Sequence, residues 1–133
     1  MTTRQAACSC GQLRATCAGE PVRLSICHCL ECQKRTGSPF GAQARFRRDQ
    51  VAVEGKATEF ERVGDEGNRI TFRFCPDCGS TLYWTLSGFP DIVAVAVGGF
   101  ADRDFSAPRV SVYESRRHPW VIVPDEPGVE HID

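Results

Sequence analysis

A mainly β fold, a single domain of antiparallel sheets with at most short helical turns, is what this 133-residue sequence predicts. Three observations carry that expectation. Segments such as 70–75 (ITFRFC) and 81–86 (TLYWTL) alternate apolar and polar side chains with the period of two that half-buried strands require. Turn signals interrupt these segments at short intervals: GEP at 19–21, EGK at 54–56 and GDEGN at 64–68. Seven of the eight cysteines fall in three tight clusters, which can staple a small β fold.

Taken in order, Cys8-Ser9-Cys10-Gly11 opens the chain as an extended pair whose thiols share a face, with Gly11 permitting a tight turn. Residues 12–17 (QLRATC) and 22–27 (VRLSIC) read as the two strands of a hairpin around Gly19-Glu20-Pro21. Cys17 stands apart from the clusters and reads as a small buried hydrophobe. Residues 30–36 form the one helical turn expected in this part, with Gly37 as its cap, and Ser38-Pro39 begins a new direction. Strands follow at 40–46, 51–53, 57–62, 70–75 and 81–86. Residues 92–97 (IVAVAV) form an unbroken apolar run, the mark of a strand covered on both faces. Residues 98–104 read as a loop, 110–114 as a strand, and 115–120 (SRRHPW) as a turn whose cations and aromatic can close over a pocket. The acidic, proline-rich 124–133 reads as a weakly ordered tail.

Charge and hydropathy exclude several classes. Sixteen basic against seventeen acidic residues leave a net charge of -1 with no basic stripe, which argues against a nucleic-acid or membrane-surface binder. No apolar run approaches a bilayer span, and MTTRQAACSCG has no apolar core of a secretory signal, so a cytoplasmic home is expected. A reducing compartment turns eight cysteines from disulfides toward metal.

The metal reading rests on spacing. Cys27 and Cys29 share a face if extended, with His28 opposite, and Cys32 arrives from the next turn on the same side as Cys29. Three sulfurs can then surround one zinc ion and leave a fourth position open, as catalytic sites do. Cys75-Pro76-Asp77-Cys78-Gly79 is a zinc knuckle, with Pro76 presetting the turn and Gly79 tolerating a left-handed backbone. Spacing alone does not assign the knuckle's partner pair. Cys8 and Cys10 would leave the triplet intact and use seven thiols, which we prefer; Cys29 and Cys32 would make an ordinary zinc ribbon and strand Cys27. The open position suits a soft donor such as a substrate thiol, whose deprotonation by zinc would ready it to add to a carbonyl carbon. Lys34, Arg35 and Arg45 are candidates to bind that thiol's carboxylates. His28 reads as a supporting side chain, with a ligand or proton-shuttle role as the alternative. Residues 98–104 follow no phosphate-binding pattern.

The motifs CSCG, CHCLECQKRTGSPF, FRFCPDCGSTLYW and RRHPW, in this order from Cys8 to about Pro127, resemble the glutathione-dependent formaldehyde-activating enzyme family, which also includes centromere protein V. The resemblance implies a β-tent fold with two zinc ions. It places a structural zinc on Cys8, Cys10, Cys75 and Cys78, and a catalytic zinc on Cys27, Cys29 and Cys32 at the active site. It further implies a carbon-sulfur lyase that adds a thiol, glutathione or a relative, to a small aldehyde or releases it from an S-hydroxymethylglutathione-like adduct. A non-catalytic zinc-stapled β module binding a protein partner is the alternative, and a nucleic-acid binder is disfavoured by charge.

Overall fold

The computed structural model describes residues 2–133, which hold eleven strands and one α-helix. The fold is mainly β with antiparallel sheets, as the alternation predicts. The residues expected to form one domain over 1–133 contain two compact units.

The first unit takes residues up to Val22 together with Ala44–Phe105. In it β1 (Thr3–Ala7) and β2 (Arg14–Ala18) form an antiparallel hairpin running from Thr3↔Ala18 to Ala7↔Arg14, and β2 pairs along its other edge with β5 (Val51–Glu54). The period of two decides which side chains enter the core: Ala15 and Cys17 are fully buried, while Arg14, Thr16 and Ala18 stay part-exposed. A second antiparallel run follows chain order through β6 (Thr58–Val63), β7 (Arg69–Phe74), β8 (Thr81–Leu86) and β9 (Phe89–Ala96). Leu82, Trp84 and Leu86 on β8 point inward, and the Trp84 indole meets the Phe72 ring at 5.5 Å. Consecutive burial of Val93, Ala94 and Val95 shows β9 covered on both faces, which its unbroken apolar run foretells. Phe46, on β4 (Gly41–Arg47), lies 6.4 Å from the ring of Phe100.

The second unit takes Arg23–Gln43 and Ser106–Asp133. Here β3 (Arg23–Cys27) pairs in parallel with β10 (Val110–Val112), and β10 in parallel with β11 (Glu130–His131). The α-helix, α1 (Leu30–Thr36), begins two residues after β3 ends. Gly37 caps it at φ 68°, donating its N–H to Gln33 O at 2.8 Å. No helix among the described residues is long and apolar enough to cross a membrane.

This arrangement differs from the sequence reading at four places. Residues 12–17 and 22–27 do not form a hairpin with each other, because both edges of β2 are taken by β1 and β5. The turn itself is present, with Gly19 at φ 81°, but Gly19 N–H goes to Thr2 O, Gln50 Nε2 occupies the carbonyls of Ala18 and Glu20, and Pro21 has no N–H to extend a ladder. β1 was not foreseen, since TRQAA carries little β propensity; pairing along the edge of β2 and burial of Ala6 make it a strand. The loop at 98–104 is preceded and entered by a 3-10 turn, Val97–Phe100, whose Phe100 stacks on Phe105 at 4.7 Å. Within 124–133, Glu130–His131 forms β11, Ile132 N–H donates to Ser111 O at 2.8 Å, and His131 Nδ1 lies 2.8 Å from Glu114 Oε2.

Cys17 has no exposed surface, and burial pushes its thiol up to about 11 against the opposing pull of Arg4. A raised folded-state value favours the neutral thiol, so its stabilising contribution is complete below the unfolded thiol's value of about 8.5 and is lost as pH rises through 11. Urea midpoints measured from pH 8 to 11 should therefore fall more steeply for the wild type than for Cys17→Ala, and equal slopes would contradict this burial.

Candidate metal centres

Two hairpin loops build the first centre. The β1–β2 connection carries Cys8 and Cys10, and the β7–β8 connection carries Cys75 and Cys78. Each loop is closed by its own backbone: Cys8 N–H to Leu13 O (3.0 Å) and Gly11 N–H to Cys8 O (3.0 Å) in one, Cys75 N–H to Ser80 O (2.9 Å) and Gly79 N–H to Cys75 O (2.8 Å) in the other. Gly11 and Gly79 adopt φ 84° and 82°, the left-handed backbone that both turns require. The four sulfurs consequently lie within 4.8 Å of one another, with Cys8–Cys10 and Cys10–Cys75 at 3.6 Å. Tetrahedral zinc with bonds of ~2.3 Å requires sulfur separations of about 3.8 Å, so the spacing fits a closed four-sulfur site.

Donors directed at sulfur support that fit. Leu13 N–H points at Cys8 Sγ (3.3 Å), Asp77 N–H at Cys75 Sγ (3.4 Å), and Gln12 Nε2 donates to Cys75 Sγ at 3.0 Å. The Gln12 amide also reaches the β5–β6 turn, with Nε2 to Lys56 O at 2.7 Å and Lys56 N–H to Oε1 at 2.9 Å. Hydrogen bonding from the Ser80 hydroxyl, then from backbone N–H groups, lowers Cys78 to about 5. Cys10 moves the other way: the Gln12 backbone N–H favours its thiolate, but desolvation and the crowding sulfurs of Cys75, Cys8 and Cys78 push it up to about 12. Four sulfurs this close could hold a cation between them.

The second centre grows from one junction, where β3 meets α1. Cys27 is the last residue of β3, Cys29 is the N-cap of α1 at φ -61° and ψ 152°, and Cys32 lies in its first turn. Cys29 Sγ accepts the Cys32 N–H at 3.3 Å, the N-cap bond made by sulfur in place of oxygen. The three sulfurs lie within 4.8 Å of one another, and among the described residues this group has three donor side chains where the first has four. Cys27 is strongly raised, first by its contact with Cys29, then by Cys32 and burial. Cys32 is raised as well: Cys27 favours its thiolate, Cys29 and burial oppose it, and the charge of Arg35 pulls it back down.

A family model described as glutathione-dependent formaldehyde-activating enzyme matches residues 3–116. The chain belongs to this family. No curated protein matches it. Among solved structures, the crystal structure of a Rhodobacter sphaeroides protein from the Northeast Structural Genomics effort is similar, at 20% identity and a TM-score of 0.57, over 79% of this chain and 92% of that one. That likeness is one of fold.

Around the three-cysteine cluster of this formaldehyde-activating family member, other side chains take definite places. His28 is fully buried, its ring 6.0 Å from Phe40 and its Nε2 2.9 Å from Ser111 Oγ. Burial, joined by the charge of Arg117 and opposed by Glu114, lowers the imidazole's pKa and so favours its neutral form. Glu114 tends upward through burial, but hydrogen bonds from Ser111 and His131 hold it below the usual carboxylate range. The Ser111 hydroxyl is thus shared between Glu114 and His28 Nε2. Gln33 donates to His28 O (2.9 Å) and Arg116 O (3.2 Å), and its Oε1 accepts from His118 Nε2 at 2.8 Å, tying α1 to the 114–118 segment. Of the three expected carboxylate binders, Arg35 is half-buried and acts electrostatically on Cys32, Lys34 is exposed and pairs with Glu31 at 3.1 Å, and Arg45 places its guanidinium 5.5 Å from the Phe89 ring.

Sequence reasoning missed Gln12, Gln33, Ser80 and Ser111. The first three adjoin or nearly adjoin cysteines, which is a usable signal; Ser111 is 83 residues from His28 and only the strand pairing brings it there. Ser111→Ala should leave His28 Nε2 buried without its partner and cost about 1–3 kcal/mol in urea unfolding. A variant as stable as wild type would show that this hydrogen bond carries no weight.

Proposed function

We propose that this chain is a zinc-dependent carbon-sulfur lyase of the glutathione-dependent formaldehyde-activating type. The observation that carries the reading is the contrast between its two cysteine clusters, four sulfurs in one and three in the other. The family supports a thiol and an aldehyde as the reacting pair, and the three-sulfur cluster has a corner to spare for the thiol.

Cys8, Cys10, Cys75 and Cys78 would hold a structural zinc, and Cys27, Cys29 and Cys32 a catalytic one. Bound to three thiolates, zinc would supply a soft Lewis-acid position at which a thiol loses its proton near neutral pH. The chain's own contribution is position. The N-cap geometry of Cys29 and the first turn of α1 converge the sulfurs, Gln33 pins the helix, and neutral His28 braces the backbone between two ligands through Ser111. In the forward direction a sulfur-carbon bond forms between the thiol and the aldehyde carbon, and the former carbonyl oxygen takes up the proton; in reverse that bond breaks and the aldehyde leaves. Arg35, near Cys32, is the best placed of the expected cations to hold a carboxylate of the thiol, and Lys34 on the same helix would contribute longer-range charge. Trp120, exposed and set edge-on to His118 at 5.7 Å, offers an apolar edge on the segment that Gln33 ties to α1. Eight free cysteines suit a reducing cytoplasm.

Native mass spectrometry of reduced protein should show two zinc ions per chain, falling to one with the fold retained after brief chelation. Cys29→Ser should keep about one zinc and a folded chain while abolishing the thiol-dependent conversion of formaldehyde seen by exchange NMR, whereas Cys78→Ser should lose the fold. If the two variants unfold alike, or Cys29→Ser keeps its activity, the division of labour between the clusters is wrong.

A further inference from the structure

Gly41, the first residue of β4, is buried, and the space its missing side chain leaves is already in use. A Cβ placed there would lie 3.0 Å from Arg35 Nη2, 3.6 Å from Cys32 Cβ and 3.7 Å from Thr36 Cγ2. The guanidinium and the ligand-bearing cysteine therefore border one small volume. Cys32 and Arg35 are three residues apart on α1 and share a face of it, while Lys34 is exposed and turned to Glu31. A half-buried guanidinium beside the cluster interacts with an anion more strongly than a solvated one and can grip a carboxylate through two parallel N–H groups.

We infer that Gly41 and Arg35 form an anion-selecting corner at the three-cysteine cluster, so that the favoured thiol carries a carboxylate close to its sulfur, with residue 41 setting the preference. The inference rests on the reading that a thiol occupies the cluster's open position. It assigns part of the selectivity to a missing side chain, because a Cβ at position 41 presses on the far end of Arg35 and shifts the charge by a few tenths of an ångström. Position 41 does not have the left-handed backbone that would strain an alanine, and the atom it meets most closely belongs to a flexible side chain. Alanine there tests the placement of Arg35 with the charge retained.

The test uses cobalt-loaded protein titrated with mercaptoacetate and with mercaptoethanol, a charged and a neutral thiol of similar size, read by the cobalt absorption bands. Wild type should bind mercaptoacetate about tenfold more tightly than mercaptoethanol, the scale of one charge-assisted hydrogen bond. Arg35→Gln should bring that ratio close to one and Gly41→Ala should lower it severalfold, with cobalt content and mercaptoethanol affinity retained. A wild type without preference, or a preference that survives Arg35→Gln, overturns the anion-selecting corner while leaving thiol binding in place. A preference lost in Arg35→Gln but intact in Gly41→Ala overturns the role of residue 41. If neither thiol alters the wild-type spectrum, the open-position reading falls and the inference falls with it. Should Gly41→Ala fail to fold, the ratio in Arg35→Gln decides for or against the charge.

Discussion

The mutual repulsion of closely packed sulfurs is the constraint on which the first unit depends. Two hairpin loops from different sheets present four thiols within 4.8 Å, and their individual tendencies diverge, with Cys78 held down near 5 and Cys10 pushed up near 12. A cluster so divided is compatible with a compact fold only if protons or a metal ion balance the charge. With a divalent cation the same four atoms become a cross-link between the three-stranded sheet and the β6–β9 run. Gln12 extends that link, since one amide contacts both a cysteine sulfur and the turn after β5.

The second cluster is assembled by different means. A single strand-to-helix junction supplies all three sulfurs, so their convergence follows from the local backbone: an extended Cys27, an extended Cys29 that caps the helix, and Cys32 one turn on. Long-range contacts then brace the junction. His28, facing into the unit between two cysteines, is anchored by Ser111, and Gln33 holds the helix to the 114–118 segment. Cys17 shows what a cysteine without sulfur neighbours becomes here, a buried apolar side chain whose thiol resists ionisation.

Most strands were legible because β2, β8 and β9 obey period-two burial or an unbroken apolar run, and because Gly and Pro mark the turns between them. The short helix was legible through Gly37, its cap. Counting thiols favoured Cys8 and Cys10 over Cys29 and Cys32 as partners of Cys75 and Cys78, and the structure brings those four sulfurs together. What spacing could not convey was partner choice. Alternation in 12–17 and 22–27 says that both are strands, but nothing in it says that β2 takes β1 and β5 or that β3 lies parallel to a strand more than eighty residues later. β1 and Ser111 belong to the same class: weak or silent residues given their roles by a distant neighbour.

That parallel pairing bears on the order of events during synthesis. Cys27, Cys29 and Cys32 leave the ribosome early, but the β10 edge of β3, the Val112 carbonyl that receives the His28 N–H, and the Ser111 hydroxyl belong to the last quarter of the chain. A nascent chain ending before Ser111 therefore exposes three neighbouring thiols without their brace, open to oxidation or to whichever soft metal is most available. The first cluster, by contrast, has all its residues and both its hairpins once β8 has emerged. Vectorial synthesis thus brings the four sulfurs of the first cluster together before the supports of the three-sulfur cluster exist.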